Sequence, residues 1–294
     1  SDSDSAMEHL IHRFEFQLQS ESQYFPNELT KAQISNPKLL SMAMYGFSKI
    51  AVRSNQMDHT HKQQRFDTSN LHKTLLDHSL SRHIVSHSPI HAVPLAVSAW
   101  SSVHRGFVFS DEQIHQWESA FVESITGSCD CGSLSMIIWS YAKWKLCFQS
   151  STAAVRWKSE FERLVSKCNA SELSMILWSF GNLNESPTFT LIWNESAWNL
   201  WNKWWRRNGI QKANGVEIVN VLCAVLRLNV AFEMDDWNLI FNRISDRIET
   251  LSSRQISVLL WALSSLQFRG KLCRTLDQNP VWNQLEKSFK LNHI

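Results

Sequence analysis

Apolar and polar residues alternate along this chain in a recurring octet. Its clearest copies are Leu134-Ser135-Met136-Ile137-Ile138-Trp139-Ser140-Tyr141 and Leu173-Ser174-Met175-Ile176-Leu177-Trp178-Ser179-Phe180. A third runs from Ile256 to Leu263 around Trp261, and weaker copies place Tyr45, Trp100 and Cys223 at the tryptophan position. Positions 45, 100, 139, 178, 223 and 261 are separated by 55, 39, 39, 45 and 38 residues. A period near 38, stretched twice, marks stacked repeats: one helical pair cannot bury its own apolar face, but a row of pairs can. Around a helix wheel of about 100° per residue, positions −5, −2, −1, +2 and +5 from the tryptophan share one broad arc. Position −3 (Met42, Val97, Met136, Met175, Asn220, Val258) and the tryptophan itself carry the apolar character further round. A helix apolar over so much of its circumference is sandwiched between neighbours. Tyr45, Trp100, Trp139, Trp178, Cys223 and Trp261 are therefore expected in the repeat core.

Each such inner helix is followed by a more amphipathic segment: 112–125, 153–167, 197–208, 235–250 and 280–289. In the second of these Val155, Phe161, Leu164 and Val165 recur at helical spacing, with Lys158, Glu160, Glu162 and Arg163 on other faces. Asp235 or Asp236 suits the N-cap of its helix, and Asn279 suits the cap before Pro280. The expected fold is all-α: a right-handed α-solenoid of about six stacked helical pairs with a period near 38 residues. Residues 1–29 form a tail with a partial repeat helix, and 30–294 form the array. Polar insertions fall near 53–69 and, around Pro187, near 184–190.

Composition agrees with long helices and short connections, since only 8 Gly and 6 Pro occur and 44% of the chain is hydrophobic. Net charge is +2, so nucleic-acid binding would need a local stripe of cations, not a general field. The six cysteines are scattered, which suggests no disulfide framework and favours a reducing compartment. No apolar run is long enough to span a membrane: Val216–Phe232 is interrupted by Glu217, Asn220, Arg227 and Asn229. The opening Ser1–Ser5 segment has neither a signal-peptide apolar core nor the Arg-rich character of a transit peptide.

The aliphatic run, Leu-Trp-Ser/Ala-Phe/Leu, and a small residue and a Leu shortly afterwards resemble the first helix of octotricopeptide and heptatricopeptide repeats. Trp139, Trp178 and Trp261 carry the best matches; the copies around Tyr45 and Cys223 depart from the pattern. These repeats are distantly related to the helical region of FASTK-like and RAP-domain proteins, although no RAP domain is expected in the residues after Trp261. The resemblance implies RNA work in organelles, with mitochondrial localisation, as a transcript factor or an added ribosomal protein. Its implied partners are RNA, ribosomal RNA foremost, and neighbouring proteins of a large ribonucleoprotein. It implies no catalysis, cofactor or small-molecule substrate.

Four residues after the tryptophan position stand Lys49, His104, Lys143, Asn182, Arg227 and Ser265, all able to donate hydrogen bonds. Stacking would align them from unit to unit as an RNA-contacting column. Solvated surface would also be polar there. If Lys49, Lys143 and Arg227 each neutralise one phosphate of single-stranded RNA, log–log salt dependence has a slope of about −2. Four residues before the tryptophan stand Ser41, Ala96, Ser135, Ser174, Val219 and Ser257, small enough for neighbouring helices to approach closely. A second candidate interface is Trp201-Asn202-Lys203-Trp204-Trp205-Arg206-Arg207, followed by Lys212. Interleaved rings and cations suit RNA, through Lys203, Arg206 and Arg207, and a protein partner equally well. At least two of its tryptophans are expected in the core under either reading. His83, His87 and His91 recur every four residues, and Cys129-Asp130-Cys131 is half a metal motif. Neither has a further ligand in sequence register, so no metal is expected. The rival of RNA binding is a protein-interaction scaffold without RNA contact; a free organellar RNA-processing or translation factor is a third reading.

Overall fold

Four inner helices begin nine residues before their motif positions, on a side chain that accepts a hydrogen bond. Asp130, Asn169, Asn214 and Ser252 receive the backbone N–H of Ser133, Glu172, Glu217 and Gln255, at 2.7, 3.0, 3.1 and 3.3 Å. At the last three sites the third helical residue reaches back to the cap's own N–H, closing a capping box. A computed structural model describes residues 92–271, apart from 105, 107, 125–128 and 185–187, together with 283–285 and 287. The expectations for Tyr45, Lys49, residues 1–29, the 53–69 insertion, His83, His87, His91 and Asn279 fall outside the described residues.

The described residues are helical and contain no β-strand. The α-helices are α1 (Ala92–His104), α2 (Asp111–Ser124), α3 (Cys131–Trp144), α4 (Ser151–Leu164), α5 (Ala170–Leu183), α6 (Phe189–Ile192), α7 (Glu195–Trp204), α8 (Gly215–Leu228), α9 (Met234–Arg247) and α10 (Ser253–Phe268). Inner helices α1, α3, α5, α8 and α10 pack side by side in chain order. The outer helices α2, α4, α7 and α9 form the second row. There α2 meets α4, the 3-10 turn Val165–Lys167 after α4 meets α7, and the 3-10 turn Ile210–Lys212 after α7 meets α9. The four expected outer segments between 112 and 250 agree with the observed helices and their terminal turns to within a turn; of 280–289 only 283–285 and 287 are described. The insertion near 184–190 contains the extra short helix α6, packed on α4. At the far end 283–285 and 287 are helical, with Leu285 buried.

The far arc of the inner helices is the core. Leu134, Ile137, Ile138, Leu173, Ile176, Leu177, Phe180, Ile256, Leu259 and Leu263 are all fully buried. Small residues allow the row to close up: an ideal Cβ at Gly181 of α5 would lie 2.9 Å from the Ala224 Cα of α8. In the small-residue column Ala96, Ser135 and Ser174 are buried, and the two serines bond back onto their own helices, which supports packing.

Each outer helix contributes a buried tryptophan with a stacked aromatic four residues later: Trp117–Phe121, Trp157–Phe161, Trp201–Trp205 and Trp237–Phe241, at 5.4–5.7 Å between ring centroids. Three indoles also donate to an inner helix, Trp117 to Leu95 O, Trp157 to Leu134 O and Trp201 to Leu173 O, at 3.1, 3.2 and 2.9 Å. The acceptor stands five residues before the motif tryptophan every time. Trp237 is buried too, but its indole N–H has no acceptor among the described residues.

Two expectations need correction. The motif position is not the repeat core: Trp100, Trp139, Trp178 and Cys223 are only half-buried, and Trp261 is 54% exposed. The tryptophan lies opposite the centre of the far arc, and that arc is the one covered by the outer helices, together with Phe148, Phe189 and Trp193. The start of α9 is also shifted, because Glu233 is the N-cap. Asp236, at the third helical position, accepts the Glu233 N–H at 3.2 Å instead of capping the helix itself.

Candidate nucleic-acid interface

Because the inner helices share one register, their half-buried faces place the motif tryptophans and the column four residues later side by side. The column interleaves with the rings. The His104 imidazole lies 4.0 Å from the Trp100 ring of its own helix and stacks at 5.3 Å on Trp139 of the next inner helix. Lys143 repeats the arrangement, its Nζ 5.3 Å from the Trp139 centroid and 4.8 Å from that of Trp178. Both are cation–π distances. Asn182 donates to Trp178 O at 2.7 Å and accepts from Arg227 Nη1 at 2.7 Å. Trp100, His104, Trp139, Lys143, Trp178, Asn182 and Arg227 thus make one ladder across four inner helices.

The alignment expected for the column is present over His104, Lys143, Asn182 and Arg227; Ser265 is half-buried on α10 and Lys49 is outside the described residues. What sequence reasoning missed is that the rings belong to the same surface. The signal was available: the two columns are 40° apart on the wheel, so a polar column near solvent places the tryptophans near solvent as well.

The Trp201–Arg207 segment divides differently. Trp201 and Trp205 are fully buried, as at least two of its tryptophans were expected to be. Trp204 stays half-buried, with Lys203 Nζ 5.5 Å and the Arg207 guanidinium carbon 5.4 Å from its ring. Arg206 was expected to serve RNA and is committed elsewhere. Its Nε lies 2.7 Å from the fully buried Asp236 Oδ1, with Glu233 and Asp235 at 3.9 Å. A guanidinium neutralising a buried carboxylate is not available to a phosphate. The aromatic-basic cluster is therefore Lys203, Trp204 and Arg207. A π-turn at Trp205–Gly209 shifts the register here, and Gly209 permits it, since a Cβ would fall 2.2 Å from the Trp205 ring.

Two buried carboxylates brace the units without facing the ladder. Glu118 accepts from the Tyr141 hydroxyl at 2.8 Å and from the Gln149 and Ser150 N–H groups at 2.8 and 2.7 Å. Burial, reinforced by the Glu118 charge, holds the Tyr141 hydroxyl well above its ordinary range, so it stays a donor. Glu160 is bonded by Arg163, which also reaches Cys129 O at 3.2 Å.

The half motif Cys129-Asp130-Cys131 also has a partner that linear spacing hides. Cys131 at the start of α3 meets Cys168 and Glu172 at the start of α5, with their ligand atoms all within 4.8 Å of one another. Burial raises all three thiols, Cys129 to about 12 with help from Glu160 and Asp130, and raises the Glu172 carboxyl.

No helix among the described residues is long and apolar enough to cross a membrane. No known family model and no curated protein sequence matches this chain; its described residues form two rows of packed helices.

Proposed function

We propose that the chain is an α-solenoid of about six helical pairs that binds single-stranded RNA inside an organellar ribonucleoprotein, a mitochondrial ribosome being the favoured assembly. The observation that carries this reading is the ladder of half-buried tryptophans and polar side chains along the inner helices. Half-buried indoles at the unit repeat give successive bases a platform for sequence-tolerant stacking. Lys143, Arg227 and the Lys203–Trp204–Arg207 cluster supply phosphate contacts. Lys143 already lies against two rings, so the balance moves from phosphate neutralisation towards stacking, compared with a purely electrostatic column. The role is one of binding, without catalysis, cofactor or small-molecule substrate. Compartment and ribosomal assembly draw their support from the repeat resemblance alone.

A protein scaffold without RNA contact has one observation in its favour. At the end of the inner row, Trp261 is 54% and Phe268 94% exposed, the composition of an interface anchor.

Crosslinking of the native protein in a sedimented fraction tests the two readings, with RNA and protein partners identified together. Ribosomal RNA crosslinks at peptides carrying Trp139, Lys143 or Trp178 are the expected result. Crosslinks to proteins only, centred on Trp261 and Phe268, would overturn RNA binding in favour of the scaffold.

A further inference from the structure

The junction between α3 and α5 gathers more metal-ligating chemistry than packing requires. Cys131 and Cys168 are both buried, and both sulfurs turn to one carbonyl, Leu164 O at the end of α4, at 3.5 and 3.6 Å. Glu172 closes the third side from the half-buried edge. Its Oε2 is occupied by the Asn169 N–H at 2.8 Å, which fixes the carboxylate and leaves Oε1 turned towards Gly132. A Cβ at Gly132 would lie 3.7 Å from both Glu172 Oε1 and Asp130 Oδ1, so this glycine sits between two carboxylates at the solvent side. The three elements are held independently by the Asp130 cap of α3, the Asn169–Glu172 capping box and the 3-10 turn Val165–Lys167.

We propose that Cys131, Cys168 and Glu172 form a zinc-binding site that clamps two successive helical pairs. Two thiolates and one carboxylate suit a borderline-soft divalent cation, and they are a poor set for calcium or magnesium. Ligand atoms around a tetrahedral zinc are about 3.5–3.8 Å apart. A group already within 4.8 Å closes on the ion by side-chain rotation of about 1 Å, without moving a helix. Asp130 is engaged as the α3 cap, so water takes the fourth position, and the ion enters from the half-buried Glu172 edge. Binding displaces both thiol protons to solvent, and the cation replaces them as the partner of the buried sulfurs. Cys168 and Cys129 occupy equivalent places ten residues before successive motif tryptophans, while Cys131 has Ala170 as its counterpart in the next unit. The site is therefore particular to this junction and not a property of the repeat. It is also independent of the RNA reading.

The test uses the full chain, reduced and metal-free, with Zn²⁺ or Co²⁺ alone as probe. One equivalent of Co²⁺ should bind with a thiolate-to-cobalt charge-transfer band that Zn²⁺ then abolishes. Zn²⁺ should slow alkylation of Cys131 and Cys168 about tenfold or more, and leave the half-buried Cys147 and Cys223 unchanged. Cys168→Ser should weaken Zn²⁺ binding by more than about a hundredfold, beyond the 10–100-fold typical of outer-shell positions, and Cys223→Ser should not. Absence of the charge-transfer band, or equal alkylation rates with and without Zn²⁺ in the unaltered chain, would overturn the site. The alkylation result decides even if Cys168→Ser fails to fold.

Discussion

Two sets of tryptophans recur in this protein, and they do different things. Trp117, Trp157, Trp201 and Trp237 of the outer helices are buried, each stacked on an aromatic one turn away. Three of them also tie their outer helix to an inner one through the indole N–H. Trp100, Trp139, Trp178 and Trp261 of the inner helices are half-buried to exposed, and three of them hold or flank the polar ladder. The more regular sequence motif thus belongs to the less buried set. Regular recurrence marks a position that must look the same in every unit, and a shared surface demands that as much as a core does.

Substitutions can break this contrast, beginning with the largest effect. Trp157→Ala should cost about 3–5 kcal/mol in urea unfolding, the range for a fully buried large aromatic, because a cavity opens and Leu134 O loses its donor. Trp261→Ala should change stability by less than about 0.5 kcal/mol in the same titration, as exposed positions do. Equal losses at the two sites would remove the distinction. Glu118→Ala, next to Trp117, should cost about 2–4 kcal/mol, since the Tyr141 hydroxyl and two backbone N–H groups lose their acceptor.

Within the aromatic-basic segment, the same contrast divides two adjacent arginines. Arg206→Gln should lower stability by about 1–3 kcal/mol by leaving Asp236 without its cation, whereas Arg207→Gln should leave the unfolding midpoint in place. For the ladder, Trp178→Ala should weaken binding of a single-stranded RNA by about 1–3 kcal/mol, read by fluorescence anisotropy, with retained helical circular dichroism. Affinity unchanged at Trp139, Trp178 and their double variant would remove stacking from the proposed mechanism. For the ladder's cation, Lys143→Met should reduce the log–log salt slope by about 0.7 and shift the unfolding free energy by about 0.5–1 kcal/mol.

Much of the architecture is legible in the chain. The spacing of Trp100, Trp139, Trp178, Cys223 and Trp261 locates all five inner helices described, and the far arc read from the wheel is the arc that is buried. The outer segments are legible too, because Phe161, Leu164 and Val165 keep helical spacing and are buried, although Val155 of the same expected stripe is 54% exposed and Glu160, expected on another face, is buried. The paired aromatics of the outer helices were also in plain view, as a ring four residues after Trp117, Trp157, Trp201 and Trp237. The candidate site was read only by half. The polar column was found, but the tryptophans beside it were assigned to the interior, because apolar character on a wheel does not say which flank a neighbour covers. Arg206 was misread for a similar reason, since Asp236, 30 positions later in sequence, is its partner.

The sequence by itself determined the local geometry: where four of the inner helices begin, on Asp130, Asn169, Asn214 or Ser252, and which arc of them avoids water. Those are properties of capping chemistry and of a 3.6-residue period, and both act within a few turns of the chain. Only the tertiary structure decided what each shared face meets. The distances that place His104 and Lys143 between two rings, join Arg206 to Asp236, and bring Cys131 to Cys168 and Glu172 are all set between units. Each joins atoms from different helices, and so depends on how one unit is offset against the next, a quantity that no single period contains.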